Sequence, residues 1–332
     1  MTFIPEKPIK KSPGYPQDIE ADEIDRRFRK LLGEFEVPSV PLMPQVTEEI
    51  PLMGGIVRQR VEYDVEKGER ISAYHLFKKG ILPNAPGVLS IHGHGGDQIF
   101  PFGKAFHCHP VKEDPNQYSY LAALAGFRVL APDALCFGER QAQWGYSKNF
   151  FGEIAAHEEL ACQGKSLAWK SVWDNSRALE MLEVLGCQST GAIGFSGGST
   201  QAYILASVNK KVQAAACFSS FMTLRHQFNQ FRCCHCLYHY IPGMMKAGID
   251  WDQVVSLLPP RKLFLGWGAL DAGTPKIIYR SFIRAVEKRR QKESYDKCLF
   301  LHEEPEAGHQ ITMPMLENAL KFLRASLEPP LS

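Results

Sequence analysis

The most constraining feature of this sequence is a series of short, continuous apolar segments that alternate with helical patterns. The apolar segments have the character of strands buried on both faces and cover residues 87–91, 127–131, 191–194, 212–216, 263–265 and 298–301. Apolar residues recur at helical spacing near 118–125 and 169–185, and again after residues 198, 275 and 314. This alternation predicts a mostly parallel, doubly wound sheet with helices on both faces. Because ligands bind such sheets at the carboxyl ends of the strands, motifs that directly follow a strand are the first candidates for function.

The sequence departs from this alternation at its beginning and in two insertions. Residues 1–50 are interpreted as an N-terminal helical extension, in which Ile24, Phe28, Leu31, Leu32 and Phe35 recur at helical spacing. Residues 51–332 are interpreted as the main α/β domain, which opens with an antiparallel strand pair near 57–65 and 71–77. The stretches 134–168 and 219–258 are rich in aromatic residues, Cys and His, and are expected to form lid-like insertions.

Composition argues against several classes of function. The chain has 332 residues, of which 45% are hydrophobic and 22% charged, and a formal net charge of +2. This balance is typical of a soluble globular protein and predicts neither a nucleic-acid nor a membrane partner. Residues 1–11 lack the apolar run of a signal peptide, and no stretch reaches the roughly 18–20 apolar residues of a membrane span. The nine cysteines are an odd number and mostly scattered, which predicts reduced thiols and a cytoplasmic location.

The first chemical motif is Gly-Phe-Ser-Gly-Gly at residues 194–198, between an apolar strand and a helical segment. A Gly-x-Ser-x-Gly in this setting forms a sharp strand-to-helix turn that exposes the serine. The N-terminus of the following helix also stabilises developing negative charge. We therefore interpret Ser196 as a catalytic nucleophile, with a glycine-rich turn without chemistry as the alternative.

The second motif is His-Gly-His-Gly-Gly at residues 92–96, directly after the first buried strand. Small residues there let backbone N–H groups point into the site, where a tetrahedral oxyanion needs two donors, each worth roughly 3 kcal/mol. The predicted oxyanion hole combines the N–H of Gly197 with one from this loop, from His94 or Gly95. A metal site formed by His92 and His94 is the alternative, but two histidines without a third ligand nearby specify little.

Two more polar residues follow strands at the same edge of the predicted sheet. Asp271 follows strand 263–265 and suits the acid that orients a catalytic imidazole, although it also suits a helix N-cap. His309 lies between the last strand and the last helix and is the predicted general base. The rival acid is Asp133, and the nearest competing histidine is His302, which ends a strand.

A further set of residues is predicted to bind substrate; it consists of His92, Arg140, Trp144, Phe195 and His239. Arg140 is a candidate partner for an acidic group of the substrate, with a surface salt bridge as the simpler interpretation. The cluster Cys233, Cys234, His235 and Cys236 invites a zinc interpretation. Adjacent ligands in an extended chain point in opposite directions, and no second Cys/His pair lies at finger-like distance, so packing or pocket lining is favoured and no metal site is predicted.

Taken together, these residues resemble the α/β-hydrolase superfamily and, within it, the dienelactone-hydrolase-like and acetyl-xylan-esterase-like serine hydrolases. The resemblance covers about residues 54–326 and is carried by the segments 92–96, 132–140, 194–198, 238–243 and 257–261. It implies Ser196 as nucleophile, Asp271 as acid and His309 as base, in the chain order Ser, Asp, His of this fold. Relatives often have proline after the aspartate, where this chain has Ala272. Dienelactone hydrolases proper have cysteine in place of Ser196, which favours the esterase side.

The resemblance therefore implies hydrolysis of a small-molecule carboxylic ester through an acyl-enzyme, without a cofactor. A peptidase or thioesterase on the same triad, a non-catalytic ligand-binding relative and a zinc-binding module are the alternatives. The sequence is compatible with a homo-oligomer and does not specify one.

Overall fold

The computed structural model describes residues 19–33, 40–94, 102–141, 143–145, 150–228, 236–257 and 261–328. The strands are β1 (Gln45–Leu52), β2 (Ile56–Glu66), β3 (Glu69–Lys78), β4 (Gly87–Ile91), β5 (Arg128–Pro132), β6 (Thr190–Phe195), β7 (Val212–Phe218), β8 (Lys262–Gly268) and β9 (Leu299–Glu304). The helices are α1 (Ala21–Leu32), α2 (Tyr118–Leu124), α3 (Phe150–Cys162), α4 (Leu167–Val184), α5 (Gly197–Val208), α6 (Leu224–His226), α7 (Trp251–Ser256), α8 (Lys276–Lys292) and α9 (Met313–Leu327). Short 3-10 turns cover Met53–Gly55, Gly103–His107, Pro115–Gln117, Gly138–Arg140, Leu237–His239 and Asp296–Cys298.

The described strands form one sheet in the order β1-β2-β3-β5-β4-β6-β7-β8-β9. β1, β2 and β3 pair in antiparallel fashion, and β3 is also antiparallel to β5. Every pairing from β5 to β9 is parallel. The predicted fold class, a mostly parallel sheet covered by helices on both faces, is therefore confirmed.

Two apolar cores lie on opposite faces of this sheet. One contains Phe28 of α1, Val172 of α4, Tyr203 of α5 and Phe282 of α8. The other contains residues of α2 and α9, including Phe322. The central parallel strands contribute to both cores, which explains why their sequences are continuously apolar instead of alternating.

Local capping explains where two of the long helices begin. The Ser166 hydroxyl accepts a hydrogen bond from the Trp169 N–H at 3.1 Å at the start of α4. The Thr312 hydroxyl accepts one from the Met315 N–H at 3.3 Å at the start of α9, where proline also occupies the first turn. Each hydroxyl satisfies a backbone donor that has no acceptor within its helix. None of the described helices is both long and apolar enough to cross a membrane.

Helix α1, which lies within the predicted N-terminal extension, packs against α7. Its residues Ile24, Phe28 and Leu32 are buried, and the Phe28 ring centroid lies 5.8 Å from that of Trp251. Phe35, the last residue of the predicted helical pattern, lies outside the described residues. Strand β1 is not predicted by the sequence. It pairs with β2 at the edge of the sheet and extends across residue 50, the predicted boundary between the extension and the main domain. Its mostly exposed, polar sequence gives little strand signal.

Described residues of the two predicted insertions, 134–168 and 219–258, pack against each other. Leu135, Ala156 and Leu160 of the first insertion share an apolar cluster with Leu237 and Tyr238 of the second. This contact gives the two segments, which are far apart in sequence, a common core of their own.

Candidate active site

Ser196 occupies the sharp turn between β6 and α5. Its backbone has φ 55° and ψ −121°, a conformation that costs an L-residue free energy and persists only when its surroundings enforce it. The Ser196 N–H donates to the Phe218 carbonyl at 2.9 Å, which ties the turn to β7. A side chain at Gly198 would meet the Ile91 carbonyl oxygen at 2.1 Å, so the close approach of α5 to β4 requires glycine there.

Ser196, His309 and Asp271 form a continuous hydrogen-bonded chain. The distance from Ser196 Oγ to His309 Nε2 is 3.0 Å, and that from His309 Nδ1 to Asp271 Oδ2 is 2.8 Å. The three residues follow β6, β9 and β8, whose carboxyl ends meet at one edge of the sheet. The structure thus brings together the residues that the sequence predicts as nucleophile, base and acid.

Asp271 is buried and held by further donors. The Tyr279 hydroxyl donates to its Oδ2 at 2.9 Å, and the Gly273 N–H donates to its Oδ1 at 2.7 Å. Burial opposes ionisation, but the hydrogen bonds from His309, Tyr279 and Gly273 outweigh it and lower the pKa of Asp271 below its usual 3.8. An ionised carboxylate accepts the His309 Nδ1–H, which leaves Nε2 as the acceptor for the serine hydroxyl.

The rival acid and the rival histidine have other partners. Asp133 accepts hydrogen bonds from the Lys104 N–H at 2.7 Å and the Lys104 ammonium at 2.5 Å. His302 Nε2 lies 2.7 Å from Glu304 Oε1. Asp133 and His302 therefore bond to groups other than Ser196 and His309.

The predicted oxyanion hole is described in part. Gly197 is the first residue of α5, so its N–H has no acceptor within the helix and lies at the positive end of the helix dipole. A side chain at Gly93 would lie 2.7 Å from the Phe195 carbonyl oxygen, which places the loop after β4 directly against the nucleophile turn. His94 follows in this loop, whereas Gly95 lies outside the described residues.

The His94 side chain forms a second contact between a histidine and a carboxylate in this region. Its Nε2 lies 2.7 Å from Oε1 of Glu153, a fully buried residue of α3. A Cβ atom at Gly197 would lie 2.2 Å from His94 Nδ1, so the ring occupies the place of a side chain there. Burial opposes protonation of the ring, but the Glu153 carboxylate and the Cys236 side chain raise the pKa of His94 well above its usual 6.5.

Two predicted substrate-binding histidines lie inside the protein. His92 Nε2 accepts from the Ala134 N–H at 2.9 Å, and its Nδ1 lies 3.0 Å from the Gly93 carbonyl oxygen. His239 Nε2 lies 2.6 Å from the Tyr203 hydroxyl. Both side chains are buried, and these bonds fix neighbouring elements to each other.

The other predicted substrate-binding residues have different surroundings. The Arg140 guanidinium is buried and donates to Asp174 at 2.8 Å and to Glu69 at 2.6 Å, beside a polar cleft of about 400 Å³. These two carboxylates neutralise its charge. Trp144 packs partly buried against the cluster shared by the two insertions. The Phe195 ring centroid lies 4.9 Å from that of His309, beside the reacting atoms.

No group of three or more His, Cys, Asp or Glu side chains within the described ranges is arranged to hold a metal ion. Cys233, Cys234 and His235 lie outside those ranges, and Cys236 is a buried free thiol.

Two residues at the site are not predicted from the sequence. Glu153 is 59 positions from His94, and Tyr279 contacts Asp271 from within α8. Neither belongs to a motif, and their contacts depend on how α3 and α8 pack, so no signal in the sequence marks them.

Neither the protein-family models nor the curated proteins include a match to this chain. Solved structures do resemble it. A glucuronoyl esterase from Solibacter usitatus has a TM-score of 0.63 and 14% identity, and the alignment covers 92% of this chain and 91% of that one. Acetyl xylan esterase 1 from Thermoanaerobacterium sp. has a TM-score of 0.59 and 15% identity, with 96% of each chain covered.

A methylesterase has a TM-score of 0.70 and 15% identity; the alignment covers 92% of this chain but only 63% of the methylesterase. At identities this low the likeness concerns the fold. The sheet order, the serine turn between β6 and α5 and these structural neighbours together show that the chain adopts the α/β-hydrolase fold.

Proposed function

We propose that this chain is a serine hydrolase that cleaves carboxylic esters through an acyl-enzyme. One observation carries the proposal: the hydrogen-bonded chain from Ser196 through His309 to Asp271 at the carboxyl ends of the strands. The names of the similar solved structures, a glucuronoyl esterase, an acetyl xylan esterase and a methylesterase, favour an ester over a peptide or a thioester.

In the acylation step, His309 Nε2 takes the proton of the Ser196 hydroxyl as Oγ attacks the ester carbonyl carbon. The buried Asp271 carboxylate stabilises the imidazolium that forms and keeps its orientation. The oxyanion of the tetrahedral intermediate accepts hydrogen bonds from the N–H groups of Gly197 and His94.

The intermediate then collapses, and His309 returns its proton to the departing alcohol. Water, deprotonated by the same imidazole, attacks the acyl-enzyme carbonyl; the bond to Ser196 Oγ then breaks, the imidazolium returns the proton to Oγ, and the acid leaves. These steps use only side chains and backbone donors of the chain, so the proposal requires no metal or organic cofactor.

The proposal extends to the surroundings of the site. The insertions at 134–168 and 219–258, which share an apolar cluster, shape the pocket for a small ester. The described cysteines are free thiols, which supports the expected cytoplasmic location.

The test is hydrolysis of p-nitrophenyl acetate and butyrate by the wild type, by Ser196→Ala and by Ser281→Ala, a matched change of an exposed serine on α8. We expect kcat/KM to fall by about 10³-fold or more in Ser196→Ala only. Equal activity of the wild type and Ser196→Ala would reject Ser196 as the nucleophile.

A panel of p-nitrophenyl esters, acyl thioesters and amide substrates then assigns the reaction class. The proposal expects the highest kcat/KM for an ester. A higher value for a thioester or an amide would replace the esterase assignment while leaving the acyl-enzyme mechanism in place.

A further inference from the structure

We propose that the His94 side chain is a further catalytic group of this ester hydrolysis, which donates to the oxyanion, and that Glu153 of α3 positions it. This inference rests on the proposed function, because it concerns the same tetrahedral intermediate. It goes beyond the backbone N–H of His94, since it assigns a role to the imidazole and to a residue of the first insertion.

The first support is where the ring lies. His94 Nδ1 occupies the place that a side chain of Gly197 would fill, only 2.2 Å from an ideal Cβ position. The Gly197 N–H, a proposed oxyanion donor, belongs to the same residue. The imidazole therefore stands immediately beside the point where negative charge develops. This proximity also explains why the motif has glycine after the nucleophile.

The second support is the way in which the ring is held. Glu153 approaches Nε2 at 2.7 Å from the side opposite Nδ1, and its side chain is fully buried. With Nε2–H committed to Glu153, a neutral ring would turn the Nδ1 lone pair toward the oxyanion and repel it. A protonated ring instead presents an N–H donor and a positive charge, which a site of low polarity makes effective.

The surroundings of the ring favour its protonated form. Among the described residues, the ionisable groups that face it include Glu153 from α3, Cys236 and Tyr238 from the second insertion, and His92 from its own loop. Burial lowers the pKa of His94, but Glu153 and Cys236 raise it by more. The second oxygen of Glu153 has no hydrogen-bond partner in the described part of the chain, so the His94 ring is the side-chain partner that the structure shows for this buried carboxylate.

The test compares the pH dependence of kcat in the wild type, Glu153→Gln and Glu158→Gln. Glu158 is an exposed residue on the same helix and provides the matched control. Glutamine removes the negative charge that raises the pKa of His94, whereas burial still lowers that pKa, so His94 should lose its proton at a lower pH than in the wild type. We expect the ratio of kcat in Glu153→Gln to kcat in the wild type to fall about 10-fold as the pH rises through the titration of His94 in the variant, at similar KM. Glu158→Gln should follow the wild-type profile.

A merely structural role for Glu153 predicts a different result. Its loss would then lower kcat by the same factor at every pH, or leave kcat unchanged, and either outcome would overturn the proposal. If Glu153→Gln does not fold, His94→Asn takes its place. Asparagine is neutral throughout, so kcat should be lowered about 10-fold with no new basic limb, and a wild-type kcat would reject the imidazole as a catalytic group.

A measurement without substrate separates this inference from the proposed function. Titration of the histidine Cε1 protons by NMR, with His94→Asn identifying the signal, should show that His94 titrates well above pH 6.5 in the wild type and at a clearly lower pH in Glu153→Gln. Equal activity of the wild type and Ser196→Ala would reject the proposed function, whereas an active wild type with identical His94 titration in both proteins would reject this inference alone.

Discussion

Two pairs of a histidine and a carboxylate lie beside Ser196 in the described part of the chain, and they differ in how the carboxylate is held. In the His309–Asp271 pair the carboxylate also accepts hydrogen bonds from Tyr279 and Gly273, and the histidine side chain is 38% exposed. In the His94–Glu153 pair the histidine is 19% exposed, and one oxygen of the fully buried carboxylate has no hydrogen-bond partner among the described residues.

The number of hydrogen-bond donors to the carboxylate determines which chemical task each pair can perform. The many donors to Asp271 fix its position, so the attached imidazole can accept and return a proton without the carboxylate moving. Glu153 has fewer donors, so its charge is balanced mainly by the ring that it contacts. The first pair therefore suits the proposed proton transfer, and the second the proposed fixed positive charge.

The largest expected effect is the loss of kcat/KM when His309 is replaced, which should far exceed the loss when His94 is replaced. His309→Gln removes the proposed general base, and we expect kcat/KM to fall by about 10³-fold or more, compared with about 10-fold for His94→Asn. His302→Gln, a change at the other histidine near the end of β9, is the matched control and should retain wild-type activity. Steady-state kinetics on p-nitrophenyl acetate measure all three, and equal losses at His309 and His94 would break the distinction.

A glycine lies next to each pair: Gly197 beside His94, and Gly273 beside Asp271. A Cβ at Gly197 would lie 2.2 Å from His94 Nδ1, whereas a Cβ at Gly273 would lie 3.1 Å from Asp271 Oδ1. Gly197→Ala must displace both the His94 ring and the loop backbone that carries the second proposed oxyanion donor, so we expect kcat to fall about 10²-fold, against about 3-fold for Gly273→Ala. Kinetics of the two alanine variants provide the test. A Gly197→Ala enzyme as active as Gly273→Ala would show that the ring does not need its observed position.

The sequence shows the first pair more clearly than the second, and the reason is physical. Ser196, Asp271 and His309 each follow a buried strand, and parallel strands bring such positions to one edge whatever the loops do. Glu153 reaches His94 only through the packing of α3, and its helix gives no sign of which glutamate faces inward. His92 and His239 are similarly ambiguous, because a histidine in sequence does not reveal whether its ring nitrogens bind protein or substrate.

A smaller effect concerns the free energy of unfolding. Removing either partner of the His94–Glu153 pair leaves the other without its buried contact. We expect His94→Asn and Glu153→Gln each to lower the free energy of unfolding by about 2 kcal/mol, and the double variant to lose about 1–2 kcal/mol less than the sum. Urea unfolding of the four proteins measures this coupling. Strict additivity would mean that the two side chains do not interact in solution.

The smallest effect is the pH dependence of stability, which has opposite sign for the two pairs. The pKa of Asp271 is lowered on folding, so its contribution is present above its unfolded value near 3.8 and is lost as the pH falls below that value. The pKa of His94 is raised, so its contribution is complete below 6.5 and is lost as the pH rises through its folded value.

The stability difference between the wild type and Asp271→Asn should therefore shrink in acid, and that between the wild type and His94→Asn should shrink in alkali. Thermal unfolding of the three proteins across the pH range checks both directions. A difference that grows with pH for His94→Asn would contradict the assigned charge.

The most direct test of the central claim is the site of covalent labelling by a fluorophosphonate, an ester analogue that traps an activated serine. Intact-protein and peptide mass spectrometry should find one phosphonate on Ser196 in the wild type, and greatly slowed labelling in His309→Gln. Labelling of a different residue, or ester hydrolysis without any label on Ser196, would contradict the assignment of this serine as the nucleophile.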